Sequence, residues 1–510
     1  MRRFRFVFLL LALGLCACAL QQPETIVITA TFPAAPSNGL PTLPQGTPIQ
    51  PTDNPARPSL PPTGAQDYTV ESGDTLSAIA NANGLTVDTL LSVNNLSNPD
   101  NLLIGQVIHL PAAPTQEGSA FKILPDSRLV RAPGSSKFDV QAFINQQPGF
   151  LRNATDMINN VSTSGAQVVQ RIALEYSVDP RLLLALLEYK SKLLSNPSPT
   201  DTEKNYALGA PVSISGNDRH GLYFQLAWAA DQLNYGYYGW NLTGLTTVAF
   251  IDNSRILFAR SLNAATVGVQ YLLSQNSDYP TWQQAVGENG FYRTYINLFG
   301  DPFAGALASI IPDNLQQPTL TFPFPSGVTW YFTGGPHGGW GDGSAWSAVD
   351  FAPPDDITTV TSSCYVSQFF STAVAPGVIA RTAEGVVILD LDGDGDESTG
   401  WTILYLHMAA QDRVQAGTVV QAGDQIGHPS CEGGVSTGTH MHIARRYNGE
   451  WIPVSCNDAC APGIVRPSLI MSGWTFYGLP DQLYQGGLLR QGERRVADQG
   501  RNDPANQVNW

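Results

Sequence analysis

The sequence predicts a multidomain chain with a small βααβ unit, a mainly α-helical middle domain and a mainly antiparallel β C-terminal domain. Its 510 residues exceed the size of one compact domain. Apolar residues recur at helical spacing between residues 136 and 312. From about Phe322 the pattern changes to short β-rich runs with aromatic residues and repeated glycines. Hydrophobic residues make up 43% of the chain, which is enough for separate cores.

The N-terminus predicts export. A basic start precedes an apolar run over residues 6–20 that is too short for a normal membrane span. Within this run, Cys18 follows the small residue Ala17, and residues 15–18 resemble the lipobox of bacterial lipoproteins. The resemblance implies a lipoprotein-type signal over residues 1–18, with a lipid anchor at Cys18 on the outer face of the cytoplasmic membrane. An ordinary signal peptide and a secreted protein are the alternative.

The charge balance argues against nucleic acid as a partner. There are 27 basic and 42 acidic residues, which gives a net charge of −15. Because such a surface repels phosphate backbones, we expect no nucleic-acid binding. Residues 19–66 are rich in Pro and Thr and predict an extended linker, and residues 113–135 predict a second linker.

Between the linkers, residues 67–112 predict a strand, a turn, two helices and a closing strand. Asp74 and Thr75 begin a helical pattern that continues with Leu76 and Ile79, and the segment closes with a strand-like run before Pro111. Over its whole length this segment resembles a LysM domain. The resemblance implies a module that binds glycans containing N-acetylglucosamine. We interpret His109, in the closing strand, as a surface or packing residue.

The middle domain, residues 136–312, resembles the lysozyme-like lytic transglycosylase fold around residues 173–191. That family carries its catalytic Glu directly before a Ser, but here Lys190 precedes Ser191. Glu188 lies two positions earlier, about 200° around a helix, and cannot replace it. Glycan cleavage needs a carboxylic acid at this place. We therefore predict a non-catalytic domain that holds glycan, with a pure spacer as the alternative.

Four cysteines follow the leader, and their even number in an exported protein predicts two disulfides. Four cysteines allow three connectivities, and the sequence does not choose among them. Cys456 and Cys460 are close enough for a local loop, which would leave Cys364 with Cys431.

The histidines of the C-terminal segment predict a metal site. His440 and His442 stand two apart in a strand-like run, so both side chains point to one face. Asp350 ends another strand-like run, where a buried carboxylate would be costly without a partner. His337 lies in a glycine-rich loop and His407 ends the strand-like run from Trp401. Each has an ordinary structural explanation alone, but their joint occurrence favours a metal.

Residues 313–478 resemble the lysostaphin/LytM zinc endopeptidases through the runs Tyr405-Leu-His-Met, 414–427 and Ser436-Thr-Gly-Thr-His-Met-His442. Most members place the first ligand histidine four residues before the ligand aspartate, where this chain has Trp346. His337 lies 13 residues ahead of Asp350, which is similar to the beta-lytic and staphylolysin branch. The resemblance implies a zinc ion held by His337, Asp350 and His442. It also implies His407 and His440 as the catalytic pair.

These residue types suit hydrolysis of a peptide bond. Two neutral imidazoles and one carboxylate leave a fourth zinc position for water, which zinc makes acidic near neutral pH. We expect His440 to accept the water proton and pass it to the leaving amine, and His407 to donate a hydrogen bond to the oxyanion. The predicted function is a zinc metalloendopeptidase that cleaves peptidoglycan stem peptides or cross-bridges and is targeted by LysM. A non-catalytic peptidoglycan-binding protein or amidase activator is the alternative.

Three further features receive structural interpretations. Carboxylates alternate over Asp390–Asp396 and would suit calcium, but the twelfth position from Asp390 is Trp401 instead of Glu. A solvated hairpin tip is therefore favoured over a calcium site. We interpret His428 as structural, and His220 has no candidate partners in the sequence. Residues 479–510 are interpreted as a tail.

Overall fold

The computed structural model describes residues 65–510, apart from 72–73, 77–78, 81–82, 84, 86, 97, 99–101, 113, 212–217, 253, 357, 359–361, 457–459, 462, 480–481 and 502. The predicted signal 1–18 with Cys18, and nearly all of the linker 19–66, lie outside the described residues. Within the described part, no helix combines the length and apolarity needed to cross a bilayer.

The first described unit contains the two strands predicted for the LysM-like segment. Strand β1 (Gln66–Thr69) pairs antiparallel with β2 (Val107–Leu110). Residues 76, 79 and 80 are helical, and helix α1 follows at Val87–Asn94. The buried residues alternate along β2 and recur at helical spacing before it, so that one apolar face of each element meets in a single core.

The middle domain is mainly helical, as predicted. Its helices are α2 (Val140–Asn145), α3 (Gly165–Tyr176), α4 (Pro180–Ser191), α5 (Asp201–Asn205), α6 (Leu222–Tyr238), α7 (Ala264–Ser274), α8 (Tyr279–Ala285) and α9 (Phe291–Phe299). Its two hairpins are β3 (Thr155–Ile158) with β4 (Val161–Ser164), and β5 (Thr247–Ala249) with β6 (Arg255–Leu257).

The start of each central helix is encoded locally. Ser164 and Gln167 form a capping box at α3, in which each side chain bonds the other residue's backbone N–H. Asp179 caps α4 by accepting from the N–H of Arg181, and Pro180 takes the first helical position, where no N–H is needed. The apolar sides of these helices then meet in one large core.

The C-terminal domain is built on antiparallel strands. The strands are β7 (Trp330–His337), β8 (Ala348–Ala352), β9 (Ser371–Thr372), β10 (Gly377–Ala383), β11 (Gly385–Asp390), β12 (Trp401–Met408), β13 (Val419–Val420), β14 (Gln425–Gly427), β15 (Met441–Tyr447), β16 (Glu450–Trp451), β17 (Ile470–Met471), β18 (Trp474–Leu479), β19 (Gln482–Arg490), β20 (Glu493–Val496) and β21 (Gln507–Val508). The main sheet has the order β13-β10-β11-β12-β15-β8-β7-β21, with β16 paired to β15. A four-stranded sheet has the order β17-β18-β19-β20. The predicted hairpin between residues 386–391 and 401–407 is β11 with β12.

The two faces of the main sheet contact different cores because side chains alternate along each strand. On β15, Met441 and Ile443 belong to the aromatic-rich core of the β domain. Ala444, on the opposite face, packs with the helical core, and so do Leu404 and Leu406 of β12. The helical domain therefore lies against one face of the sheet.

Both disulfides lie in the C-terminal domain. Cys364 pairs with Cys431, and Cys456 pairs with Cys460. Of the three connectivities that the sequence left open, the structure contains the one with the short local loop.

Two predicted boundaries are wrong. The second half of the predicted linker 113–135 is part of the helical domain, since Ile123, Leu124 and Leu129 are fully buried in its core. The predicted tail 479–510 is folded as well, because it supplies β19, β20 and β21. The apolar residues in these two segments are few, and only the tertiary structure shows that they occupy buried positions.

One buried carboxylate joins the helical region to the sheet. Glu397 accepts hydrogen bonds from Arg381 at 2.8 and 3.2 Å and from Arg446 at 2.9 Å. Arg131 Nη1, from the start of the helical domain, lies 3.9 Å away. Burial opposes ionisation of this carboxyl, but the three arginines hold the pKa of Glu397 well below its usual range.

We expect Glu397→Gln to destabilise the protein by about 3–5 kcal/mol at pH 7, because buried arginines lose their counter-charge. The pKa of Glu397 is lower in the folded state than its unfolded value of about 4.3. The ionised carboxylate therefore contributes its full stabilisation above about pH 4.3. This stabilisation is lost as the pH falls towards the folded-state pKa. Urea unfolding at pH 7 and pH 3 should therefore show a smaller difference between wild type and variant at pH 3.

Glu493→Gln is the matched control, since Glu493 and Arg490 form a largely exposed pair. Its effect should stay within about 1 kcal/mol. Equal destabilisation by the two substitutions at pH 7 would contradict the importance of the buried cluster.

Candidate metal centre

Three neighbouring strands bring His337, Asp350 and His442 together. His337 is the last residue of β7, and Asp350 and His442 occupy paired positions of β8 and β15. The β7–β8 register shifts twice, between Phe332 and Gly334 and between Gly334 and His337. These irregularities let the end of β7 turn towards the two paired residues. We call His337, Asp350 and His442 the three-residue cluster.

The side-chain atoms of the three-residue cluster converge on one point. His337 Nε2 lies 2.9 Å from His442 Nδ1. Asp350 Oδ1 lies 3.3 Å from His337 Nε2 and 3.4 Å from His442 Nδ1. All three side chains are buried. The structure thus brings together the residues predicted as metal ligands.

The outer nitrogens of both imidazoles are held by backbone carbonyls. His337 Nδ1 donates to Gly335 O at 2.8 Å, and His442 Nε2 donates to Gly339 O at 3.1 Å. Because a carbonyl only accepts, these contacts place the ring protons on the outer nitrogens. The inner nitrogens then direct their lone pairs at the same point, as in metal sites whose ligands are oriented by hydrogen bonds.

The residues present fit a zinc ion. Two imidazole lone pairs facing each other repel unless a cation lies between them. Asp350 Oδ1 is also buried and has no hydrogen-bond partner in the part of the chain that the structure describes. Two nitrogens and one carboxylate oxygen are a donor set that zinc prefers.

The pKa shifts of Asp350 and His442 suit this donor set. Burial opposes ionisation of Asp350, but the charges of His337 and His440 hold its pKa well below the usual range. Burial lowers the pKa of His442 and favours its neutral form. Burial acts the same way on His337, but the Asp350 charge and the hydrogen bonds with Asp350 and Gly335 O together outweigh it and raise the pKa. An ionised carboxylate and a neutral imidazole are the forms that bind metals.

A second pair of histidines lies beside the three-residue cluster. The rings of His407 and His440 have centroids 4.5 Å apart, and His440 Nε2 lies 3.7 Å from Asp350 Oδ1. His407 is the extra residue where the register of β11 and β12 shifts, and its φ of 65° lies in the left-handed region. Such strain in a non-glycine residue is held by its surroundings and is common at functional sites.

In both rings, Nδ1 contacts a backbone carbonyl. His440 Nδ1 donates to Gly438 O at 2.7 Å, and His407 Nδ1 donates to Glu432 O at 3.2 Å. In their neutral forms both rings therefore present Nε2 as an acceptor. Burial, and then the charges of His440 and His442, lower the pKa of His407 to about 3. This disagrees with the predicted oxyanion-donor role of His407, because a neutral ring with its proton on Nδ1 has no donor at Nε2.

Sequence motifs do not point to Tyr484, which also contacts the site. The ring of Tyr484 stacks on His337, with centroids 4.4 Å apart and planes at 27°. Tyr484 lies in β19, within the predicted tail, and its φ is 63°. No motif surrounds it, so only the folding of the C-terminal sheet against β7 reveals the contact.

The loop between His337 and Asp350 rests on the helical domain. Gly343 N donates to Asp231 Oδ1 of α6 at 2.8 Å, and a Cβ at Gly341 would meet Tyr176 and Asp231. The same loop supplies Gly339 O to His442. The long spacing between the first two cluster residues thus accommodates a contact with another domain.

Comparisons with known proteins follow the same division of the chain. The family model of the LysM domain matches residues 68–111, and that of the LasA N-terminal domain matches residues 122–312. Protease LasA of Pseudomonas aeruginosa PAO1 is 25% identical over 350 residues, covering 64% of this chain and 74% of LasA. The chain is thus similar to protease LasA over about two thirds of its length, and its residues 68–111 are similar to LysM domains.

Two further matches each cover a single part of the chain. The N-acetylmuramoyl-L-alanine amidase XlyB of Bacillus subtilis 168 is 51% identical over 47 residues, which are 9% of this chain and 15% of XlyB. Among solved structures, the M23 metalloprotease pseudoalterin from the deep sea is 24% identical, with a TM-score of 0.28. The match covers 36% of this chain and 96% of pseudoalterin.

In the middle domain, Glu188 and Lys190 have structural partners. Glu188 accepts from Leu194 N, Ser195 N and Ser195 Oγ just beyond the end of α4. Lys190 Nζ donates to Asn276 Oδ1 at 3.1 Å. Glu188 is therefore a capping residue. The lysozyme-like resemblance and glycan binding by this domain remain predictions.

The remaining candidates lie apart from the three-residue cluster. His428 Nδ1 donates to Phe369 O at 3.1 Å, in keeping with a structural role. His109 pairs with Asp67 at 3.1 Å on the surface. In the acidic hairpin, single oxygens of Asp390, Asp392 and Asp394 lie within 4.8 Å of one another. Asp390 is buried and already accepts from Gly395 N, so calcium there remains a hypothesis beside the solvated tip.

Proposed function

We propose that the chain is a zinc-dependent endopeptidase that hydrolyses peptide bonds in peptidoglycan, in stem peptides or cross-bridges. The observation that carries this proposal is the convergence of His337 Nε2, His442 Nδ1 and the unpartnered Asp350 Oδ1 on one buried point. The match to protease LasA supports the peptidase activity.

We propose His337, Asp350 and His442 as the zinc ligands. Bound zinc supplies a Lewis acid that polarises the scissile carbonyl and lowers the pKa of water. Gly335 O and Gly339 O fix the ring protons of His337 and His442, so the donor nitrogens need no rearrangement.

His440 is the proposed general base. Its Nδ1–H is engaged by Gly438 O, which leaves Nε2 to accept the proton of the attacking water. Nε2–H then gives that proton to the leaving amine as the C–N bond breaks, as expected for one residue that acts as base and acid in turn. The exposed part of His440 gives a peptide access to it, whereas His407 is buried.

His407 is proposed to orient the water. Its Nε2 accepts in the neutral ring, and the low pKa keeps the ring neutral at physiological pH. A second acceptor beside His440 can hold one hydrogen of the water while His440 takes the other. This role replaces the oxyanion donor inferred from the resemblance.

Glycan binding places the peptidase on its substrate in this proposal. The LysM domain matched at residues 68–111 is proposed to bind N-acetylglucosamine-containing glycan, and the similarity to the amidase XlyB supports peptidoglycan as the source. A lipid anchor at Cys18 is proposed to keep the exported protein at the envelope. The lipobox-like residues 15–18 support this anchor.

The experiment uses the full chain with purified cell walls, and measures new amino groups by amine labelling and mass spectrometry of the products. The zinc-loaded protein should release amines, and His442→Ala should lose both bound zinc and activity. His220→Ala, which changes an exposed histidine of the helical domain, should match wild type. Absence of amine release by the zinc-loaded wild type, with His442→Ala behaving identically, would overturn the proposal and favour a non-catalytic binding protein.

A further inference from the structure

We infer that the Cys364–Cys431 disulfide, with Thr439, positions His407 and His440 relative to each other. This inference rests on the proposed function of the two histidines. The disulfide joins two loops, residues 362–365 and 430–432, and each loop holds one histidine of the pair.

The loop around Cys431 holds His407. Ser430 donates from both its N–H and its hydroxyl to His407 O, at 2.7 and 3.0 Å. Glu432 O accepts from His407 Nδ1 and thereby selects the ring tautomer. The residues on either side of Cys431 thus contact both the backbone and the ring of His407.

The loop around Cys364 holds the residue before His440. Thr439 N donates to Ser363 O at 2.8 Å. Tyr365 N donates to Thr439 Oγ1 at 2.9 Å, and Thr439 Oγ1 donates to Tyr365 O at 2.6 Å. Thr439 is buried, so these bonds fix the peptide that leads into His440.

The disulfide links the two loops that hold His407 and His440. The chain between Glu432 and Thr439 is largely accessible, and Val435 is 94% exposed. The crosslink gives this segment a second connection, from Cys431 through Cys364 to Thr439. Without it, the left-handed backbone of His407 loses one of the constraints that hold it.

The three-residue cluster has a separate support. Asp350 and His442 pair across β8 and β15, and β15 is also hydrogen-bonded to β12. Loss of the disulfide should therefore displace the His407–His440 pair while the zinc ligands keep their places. A displacement of about 1 Å at a catalytic group can cost about 100-fold in rate.

The test compares two disulfide deletions in the full chain. Cys364→Ser/Cys431→Ser should lower kcat by about 10- to 100-fold with KM and zinc content near wild type. Cys456→Ser/Cys460→Ser removes the other disulfide and should leave kcat within about twofold of wild type. Equal kcat for wild type and a folded, zinc-loaded Cys364→Ser/Cys431→Ser protein would overturn the inference.

Thr439 provides a test that leaves both disulfides intact. Thr439→Val removes the hydroxyl that bonds Tyr365 and should lower kcat, whereas Thr439→Ser keeps the hydroxyl and should restore it. Wild-type kcat in folded Thr439→Val would count against the inference.

A spectroscopic measurement separates this inference from the proposed function. Histidine ¹⁵N NMR of the zinc-loaded protein should show the Nδ1–H tautomer for His407 in wild type and its loss in Cys364→Ser/Cys431→Ser. If wild type cleaves no wall peptide, the proposed function fails, and the His407 tautomer still tests whether the disulfide positions His407. An unchanged His407 tautomer in Cys364→Ser/Cys431→Ser would then contradict the positioning role of the disulfide.

Discussion

Asp350→Asn is expected to remove bound zinc and to lower peptidase activity by more than about 100-fold. Asp350 Oδ1 is the atom shared by the cluster, 3.3 Å from His337 Nε2 and 3.4 Å from His442 Nδ1. Loss of a group that only supports a metal ligand lowers metal affinity or activity by about 10- to 100-fold. Loss of the ligand carboxylate should cost more, because a neutral amide also leaves the cation charge uncompensated in a buried site. Metal content after dialysis and amine release from cell walls measure the two effects.

Asp313→Asn is the matched control, since Asp313 is exposed and lies outside the cluster. It should keep wild-type zinc content and activity. Asn is nearly the same size as Asp, so the thermal melt of metal-free Asp350→Asn should stay close to that of the metal-free wild type. Full zinc content in a folded Asp350→Asn protein would show that other residues hold the zinc.

His440→Ala is expected to lower kcat by about 10²- to 10⁴-fold while zinc content stays at the wild-type level. The geometry explains why kcat should fall while zinc content is unchanged. His440 Nε2 lies 3.7 Å from Asp350 Oδ1, whereas the two imidazoles of the cluster lie closer to that oxygen. The variant therefore loses the proton acceptor and keeps the three proposed ligands.

The comparison with His442→Ala makes this prediction specific. His442 lies in β15, and His440 is the residue before β15. Both substitutions remove an imidazole, but only His442→Ala should release zinc. His220→Ala again controls for histidine loss at the surface. If His440→Ala loses zinc as readily as His442→Ala, His440 belongs among the ligands and the assignment of the general base is wrong.

The pattern of residues was sufficient to predict the strands that meet at the candidate site. The two-residue spacing of His440 and His442 predicted one strand for both, and the structure begins that strand, β15, at the residue after His440. The strand-like run ending in Asp350 predicted a second strand. The structure pairs Asp350 with His442 directly. These are local consequences of strand periodicity, so they can be read from short stretches of sequence.

The tautomers of the histidines could not be predicted in this way. They depend on Gly335 O, Gly339 O, Glu432 O and Gly438 O, and three of these carbonyls come from loops whose conformation no motif specifies. The proposed role of His407 changed from donor to acceptor for that reason. A backbone carbonyl carries no sequence signal, because every residue has one.

The folded C-terminus and the position of the helical domain depended on long-range contacts too. Tyr484 reaches His337 across 147 residues of chain because β19 packs beside β7. Asp231 reaches Gly343 across a domain boundary. Such contacts follow from which apolar faces meet, and a single sequence shows the faces but not their partners.

The sequence by itself determined the order of domains, the antiparallel β character of the C-terminal part, and the five residues at the candidate site. Periodicity and spacing indicated the β strands and the histidine cluster, and the resemblance to known families implied the domain order and the five residues, because each depends on neighbours along the chain. The tertiary structure decided the disulfide pairing, the burial of residues 123–129, the contact of Tyr484 with His337 and the ring protons of the histidines. Each of these depends on atoms that are distant in sequence, and only the packing of strands and helices brings those atoms within bonding distance.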